Sequence, residues 1–253
     1  MFIFALSNAN DTLDWFVFLV LGLVAVTIAL VAHEVAHGLV AKWNGDYTAK
    51  LAGRLTANPL KHFDPIGFVM MMLVGFGYAK PVPVNPYNYR NRRRGEITVA
   101  IAGVTTNLIL AFFGVMFGCL MVLAYNHAVF DDAGAGVVRL CYYLYIFFQL
   151  FSLINLSLLF FNLLPVFPLD GFRLVEALTP RGNAYCRFMR TNGHYILYGL
   201  VGLSFIVSAA MSRVAAIPGW FSYINVLGTY IDFFTSNVFN LFAKFWYLMI
   251  PLY

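Results

Sequence analysis

Charge is what this sequence has least of. Lys, Arg, Asp and Glu together make up 11% of the 253 residues, under half of the roughly 25% usual in soluble domains. A soluble globule of this length does not cover its surface with so few ionic groups. Hydrophobic residues make up 61% of the chain and the mean hydropathy is +0.77. The composition therefore selects a polytopic membrane protein.

Cysteine is also scarce. Cys119, Cys141 and Cys186 show no C-x-x-C spacing, which argues against a disulfide framework and a cysteine metal site. Cys119 and Cys141 stand in apolar runs, where cysteine behaves as a small hydrophobe. Internal repeats, low-complexity stretches and Gly/Ser linkers are missing. No segment is polar enough to form a separate soluble domain. We therefore expect one membrane-embedded domain over residues 1–253, with a core at about 14–180 and accessory helices at about 194–253. The N-terminus carries Asp11 and Asp14 where a secretory leader would be basic, so the first apolar run is expected to stay in the mature protein. The net charge is +5, with Arg90, Arg92, Arg93 and Arg94 in one cluster. In a chain this apolar the cluster does not suggest nucleic acid. It is either a topology signal or a contact for anionic headgroups.

Long apolar runs are what the sequence does have. Residues 15–32 hold no charge over 18 positions, most of a membrane span. Further spans are expected at 97–125, 137–164, 195–211 and 220–243, the last interrupted by Asp232. The fold class expected is all-α polytopic membrane protein, about five to six transmembrane helices. Between the first two spans the chain is different. Asn58-Pro59, Asp64-Pro65 and the run Lys80-Pro-Val-Pro-Val-Asn-Pro86 forbid one continuous helix. Residues 47–56 suit a strand. Residues 67–78 are apolar but too short to span, which suggests a re-entrant, strand-like or interfacial segment. Lys and Arg concentrate in 41–96 and 170–193, while 126–136 holds none. By the positive-inside rule the two basic segments face the cytoplasm and the N-terminus lies outside.

One motif carries chemistry. His33-Glu34-Val35-Ala36-His37 is HExxH, at the cytoplasmic end of the first span. On a helix, positions i and i+4 share a face about 6 Å apart along the axis, so the two imidazoles can hold one zinc ion. Glu34 stands beside them, within reach of a water at that ion, as a general base. Two histidines and a glutamate in a membrane span are costly unless paired or ligating. Catalytic zinc takes three protein ligands, and the position six after His37 is Trp43 rather than a third histidine. Asp46, Asp64, Glu96, Asp170 and Glu176 are the carboxylate candidates. Asp170 is favoured, because Pro165 and Pro168 break the third span just before it. Asp170 as the N-cap of a helix over 171–178 is an equal reading on spacing alone.

HEVAH in one span followed by Asn162-Leu-Leu-Pro-Val-Phe-Pro-Leu-Asp170-Gly171 after a later one resembles the site-2 protease family of intramembrane zinc metalloproteases, in its short prokaryotic form without PDZ or CBS modules. The segments 58–67, 79–86, 93–95 and 102–107 are similar to that family too. The resemblance runs in order from about residue 30 to 180. It implies His33, His37 and Asp170 as ligands of one Zn2+ per chain, Glu34 as the base, and Asn162 as the group that holds the substrate carbonyl or oxyanion. It also implies substrate contacts for Asn107 and Asn85. One departure is Gly103-Val104, where the family often has Gly-Pro.

The expected function is hydrolysis of peptide bonds within or next to transmembrane segments of membrane proteins. The expected setting is a prokaryotic inner or plasma membrane, with the active site toward the cytoplasm. The partners expected are a transmembrane protein substrate and the lipid bilayer, without nucleic acid. The sequence sets no oligomeric state. The alternatives are a metal-binding or transport protein and a silent protein that binds transmembrane helices. The polar groups cluster in one third of the bilayer, which argues against transport. The retained Glu34 argues against a silent site. His62, beside Lys61 and Pro65, is expected as an interfacial loop residue. Met70, Met71 and Met72 are expected as apolar packing surface, and Gly199 and Gly202 as points of close helix contact.

Overall fold

A computed structural model of the chain describes residues 12–65, 67, 79–180, 182–213 and 219–250. Its helices, in chain order, are α1 Thr12–Trp43, α2 Thr48–Leu51, α3 Arg92–Phe130, α4 Ala135–Asn162, α5 Asp170–Leu178, α6 Ala184–Arg213 and α7 Val226–Met249. Short 3-10 turns occupy Pro59–Lys61, Pro86–Asn88 and Gly219–Ile224. By length and composition, four helices are apolar enough to cross a membrane: Asp14–Trp43, Arg92–Phe130, Ala135–Asn162 and Ala184–Met211. The protein is an integral membrane protein. The helix expected as a fifth span is present as α7. It carries Asp232 and Lys244 and is not among those four.

The helices are turned inside out relative to a soluble bundle. On α1 the buried stripe is Phe18, Gly22, Ala25, Ala29, His33 and His37, at spacings of three and four. Away from that stripe the helix exposes Phe16, Val20, Val24 and Ile28, and Trp15 is exposed near its start. Lipid is as apolar as leucine, so large side chains gain nothing by facing inward. Small residues inside let the backbones approach and gain contact. On α3 the buried residues include Ala100, Gly103, Asn107, Ala111, Gly114 and Gly118. A Cβ on Gly114 would stand 2.4 Å from Ser152 Oγ of α4. Gly199 and Gly202 meet no such neighbour among the described residues, so the close helix contact falls on the α3–α4 seam. On the other flank, α7 packs Phe242, Phe245 and Trp246 around Phe112, and Trp246 Nε1 donates to the Phe112 carbonyl at 3.0 Å.

The start of α3 and the end of α5 meet at one end of the bundle, beside the described parts of the two basic links, 44–91 and 163–183. There Arg93 Nη2 donates to the Leu178 carbonyl at 3.3 Å. The 131–134 turn joins α3 to α4 at the other end. α3 has 39 residues, about 58 Å at 1.5 Å per residue, roughly twice the hydrocarbon thickness. Its first turns therefore extend past the core of the membrane.

The strand expected over 47–56 is not formed, and among the described residues none is in a strand. The segment folds instead as α2 and a turn. Asp46 Oδ1 accepts from the Thr48 N–H and hydroxyl, which seeds a helical turn where the side-chain pattern alone suggested an extended chain. The apolar segment 67–78, with Met70, Met71 and Met72, lies outside the described residues apart from Gly67. The polar stretch 170–193 divides into α5 and the first turns of α6.

Candidate metal centre

Three side chains from two helices converge on one point. His33 and His37 come from α1, and Asp170 is the first residue of α5. His33 Nε2 and His37 Nε2 stand 3.0 Å apart. Asp170 Oδ2 lies 3.1 Å from His33 Nε2 and 3.0 Å from His37 Nε2. All three residues are buried, at 5%, 6% and 7% exposure. They form the cluster of His and carboxylate groups, among the described residues, that could hold a metal ion.

The far side of each ring decides what this triangle is. His33 Nδ1 lies 2.7 Å from Asn107 Oδ1, and His37 Nδ1 lies 2.7 Å from the Val99 carbonyl. The Val99 carbonyl is only an acceptor. The Asn107 amide NH2 is engaged with Asn155 Oδ1 at 3.0 Å, so Asn107 presents its oxygen. Both imidazoles therefore donate from Nδ1, and in the neutral form each turns a lone pair at Nε2 toward the other and toward the carboxylate. Asp170 Oδ2 is buried with no hydrogen-bond partner. Two lone pairs and a carboxylate oxygen at these distances are a repulsive arrangement that a cation resolves. Donors bound to one tetrahedral zinc at about 2.0–2.2 Å would stand roughly 3.3 Å apart, close to the observed triangle. The residues fit a zinc ion, and the buried, unpartnered oxygen is the observation that tests the fit.

Backbone details hold these groups in place. α4 stops at Asn162, and Pro165 and Pro168 carry the chain back to Asp170. Leu169, not Asp170, is the N-cap of α5, and no side chain caps it. The N-cap reading of Asp170 is thereby removed. A Cβ on Gly171 would lie 2.2 Å from the Leu163 carbonyl, so glycine lets α5 start against the end of α4. A Cβ on Gly103 would lie 2.4 Å from the His33 ring. The helix α3 passes directly behind that imidazole, with or without a following proline.

The other carboxylate candidates are committed elsewhere. Glu96 pairs with Arg92 at 2.8 Å and Glu176 with Arg190 at 2.6 Å. Asp64 Oδ1 accepts from the Gly67 N–H at 2.9 Å. Asp46 is fully buried and accepts from Thr48, from the Asn85 N–H and from the Asn88 amide. Burial works against its charge, but those hydrogen bonds outweigh burial and hold its carboxyl below the ordinary range.

Glu34 adjoins the triangle, and its Oε2 accepts from the Val82 N–H at 2.8 Å. The proline-rich segment 80–86 is thus tied across the site, with Arg54 Nη2 on the Lys80 carbonyl at 2.6 Å. Asn162 is half-buried at the end of α4 and donates from Nδ2 to the Leu158 carbonyl at 3.0 Å. The two asparagines expected at the substrate each have a partner within the chain. Asn107 is fully buried and orients His33. Asn85 Oδ1 accepts from the Tyr87 N–H and caps a turn. His62 is buried at 2%, with its Nε2 on the Thr56 carbonyl at 2.9 Å, and is not the interfacial residue expected. Sequence reasoning missed Asn155, although a polar side chain inside a membrane helix is itself a signal. The Val82 amide carried no signal at all.

Comparison with known proteins agrees with this geometry. The family model for peptidase family M50 matches residues 135–207, which covers α4, Asp170 and α5 but not HExxH. YwhC of Bacillus subtilis (strain 168), whose assigned name is that of a zinc metalloprotease, is 41% identical over 159 residues. That match covers 63% of this chain and 69% of YwhC. The zinc metalloprotease MJ0392 of Methanocaldococcus jannaschii is 27% identical over 213 residues, 81% of this chain and 49% of the relative. Rip2 of Mycobacterium tuberculosis (strain H37Rv), named in the same class, is 29% identical over 159 residues, 59% of this chain and 53% of the relative. The chain thus spans about half the length of the latter two. No solved structure matches it.

The fold and site are those of a membrane metalloprotease. The chain belongs to peptidase family M50, the site-2 proteases, and its cofactor is zinc.

Proposed function

We propose that this protein cleaves transmembrane segments of other membrane proteins within the bilayer, as one membrane-embedded domain over residues 1–253. We further propose that it sits in a prokaryotic inner or plasma membrane, its N-terminus outside and its active site toward the cytoplasm. The observation that carries the reading is the buried triangle of His33, His37 and Asp170 inside a bundle of membrane-spanning helices. The basic links at the same end of the bundle support the orientation.

In this reading His33 Nε2, His37 Nε2 and Asp170 Oδ2 hold the zinc. The ion supplies Lewis-acid activation of water and of the peptide carbonyl. Glu34 takes the proton from the attacking water at Oε1, since Oε2 is engaged with Val82, and passes it to the leaving amine. Asn162 offers its amide to the developing oxyanion after leaving Leu158. Asn107 keeps the His33 lone pair aimed at the ion. A transmembrane helix shields its amides in hydrogen bonds, so the substrate unwinds locally before attack. The irregular segment 80–86 across Glu34 is the place offered for the unwound chain.

The test is zinc content and cleavage of a fluorescent single-span substrate in detergent, for the wild type, Glu34→Gln and Asp170→Ala. We expect one zinc and cleavage in the wild type, zinc without cleavage in Glu34→Gln, and weakened zinc in Asp170→Ala. Cleavage by Glu34→Gln at the wild-type rate would sink the protease reading.

A further inference from the structure

A second polar site lies away from the metal centre, at the same end of the bundle. A groove of about 680 Å3 opens between the start of α3, the end of α5 and the start of α6. Its charged lining is Arg92, Arg93, Arg187 and Arg190 against Glu96 and Glu176. Arg92 pairs with Glu96, and Arg190 with Glu176. Arg93 and Arg187 have no carboxylate partner among the described residues. Each holds only a backbone carbonyl, Leu178 and Gly182 respectively, both at 3.3 Å. Two guanidiniums from opposite walls, far apart in sequence, therefore face one groove with their charge uncompensated.

The height of the groove says what fills it. Arg92 and Arg93 open α3, and Arg187 and Arg190 lie in the first two turns of α6. Both helices are long and apolar enough to cross a membrane, and the four arginines stand in their charged first turns, outside the apolar stretch and on the side of the lipid headgroups. A topology signal needs cations on one side of the membrane. It does not need them converging from two helices on a shared cleft with two guanidiniums left without a carboxylate. Guanidinium forks match phosphate oxygens in pairs.

We propose that this groove binds the phosphate headgroup of an anionic phospholipid, with Arg93 and Arg187 as its principal contacts. The bound lipid braces α5 against α3 and α6. Since α5 begins at Asp170, the lipid steadies that helix at its far end. The site stands apart from cleavage and does not depend on the substrate assignment.

The experiment is lipid retention by the full chain in detergent, followed by native mass spectrometry during titration with phosphatidylglycerol, phosphatidylcholine or inorganic phosphate. We expect saturable retention of phosphatidylglycerol over phosphatidylcholine. The double variant Arg93→Gln/Arg187→Gln should weaken it at least tenfold, with zinc content showing that the bundle is intact. Arg139→Gln, which removes an exposed cation from the other end of the bundle, should leave it unchanged. Equal retention of phosphatidylcholine, or equal weakening by Arg139→Gln, overturns the proposal. So does wild-type retention by the double variant. Inorganic phosphate that displaces phosphatidylglycerol at equal concentration assigns the groove to free phosphate and overturns the lipid.

Discussion

At the scale of single residues, the centre depends on groups that never touch the metal position. Asn107 accepts from His33 Nδ1 and is itself held by Asn155. Outer partners of metal-bound histidines are worth about 10–100-fold in metal affinity. Asn107→Ala should therefore weaken zinc by that factor in a competitive chelator titration. Unchanged affinity would mean that His33 keeps its orientation without the asparagine. Gly103→Ala tests the same ring from behind. A Cβ placed 2.4 Å from the imidazole has to push it aside, so the variant should lose zinc while its helical content by circular dichroism stays that of the wild type.

At the scale of elements, Asp46 organises the link between α1 and α3. Its carboxylate gathers Thr48, Asn85 and Asn88, residues up to 42 positions from it. Hydrogen bonds to a charged group contribute about 1.5–3 kcal/mol each, so Asp46→Ala should loosen the whole 44–90 link. Faster limited proteolysis between residues 47 and 90, with the spans intact, would register this. The pH dependence follows from the sign of the shift. The folded carboxyl titrates below its unfolded value of about 3.9. Its stabilisation is fully present above that value and is lost as pH falls through the lower, folded one. Proteolysis of the link should stay flat from about pH 7 down to 5 and rise only below about 4. In Asp46→Ala that acid limb should disappear.

At the scale of the whole molecule, the bundle is held by small residues inside and large ones toward lipid. α7 joins it through an aromatic cluster on α3. Trp246→Phe keeps an aromatic ring in the cluster but removes the hydrogen bond to the Phe112 carbonyl and should cost about 1 kcal/mol, the size of an interhelical hydrogen bond in a membrane. The thermal midpoint in detergent should fall, with zinc content unchanged because α7 contributes no ligand. Loss of zinc in that variant would tie α7 to the metal centre after all.

The sequence by itself determined the membrane class, the main spans, the basic end of the bundle and the HExxH pair. Each of these is local: hydropathy, charge placement and an i, i+4 spacing on one helix turn. Their physics needs no partner from elsewhere in the chain. Among the carboxylates the sequence favoured Asp170, and the tertiary structure supplied its position against the two histidines. Asp46, Asp64, Glu96 and Glu176 are as acidic as Asp170 on paper, and only packing shows the first four engaged and Asp170 Oδ2 facing two imidazoles. Tertiary structure also turned 47–56 into a helix, because the Asp46 bonds outweighed strand propensity. It also brought Asn107 behind His33, since a contact across 74 positions depends on where two spans cross, and no local pattern encodes that crossing.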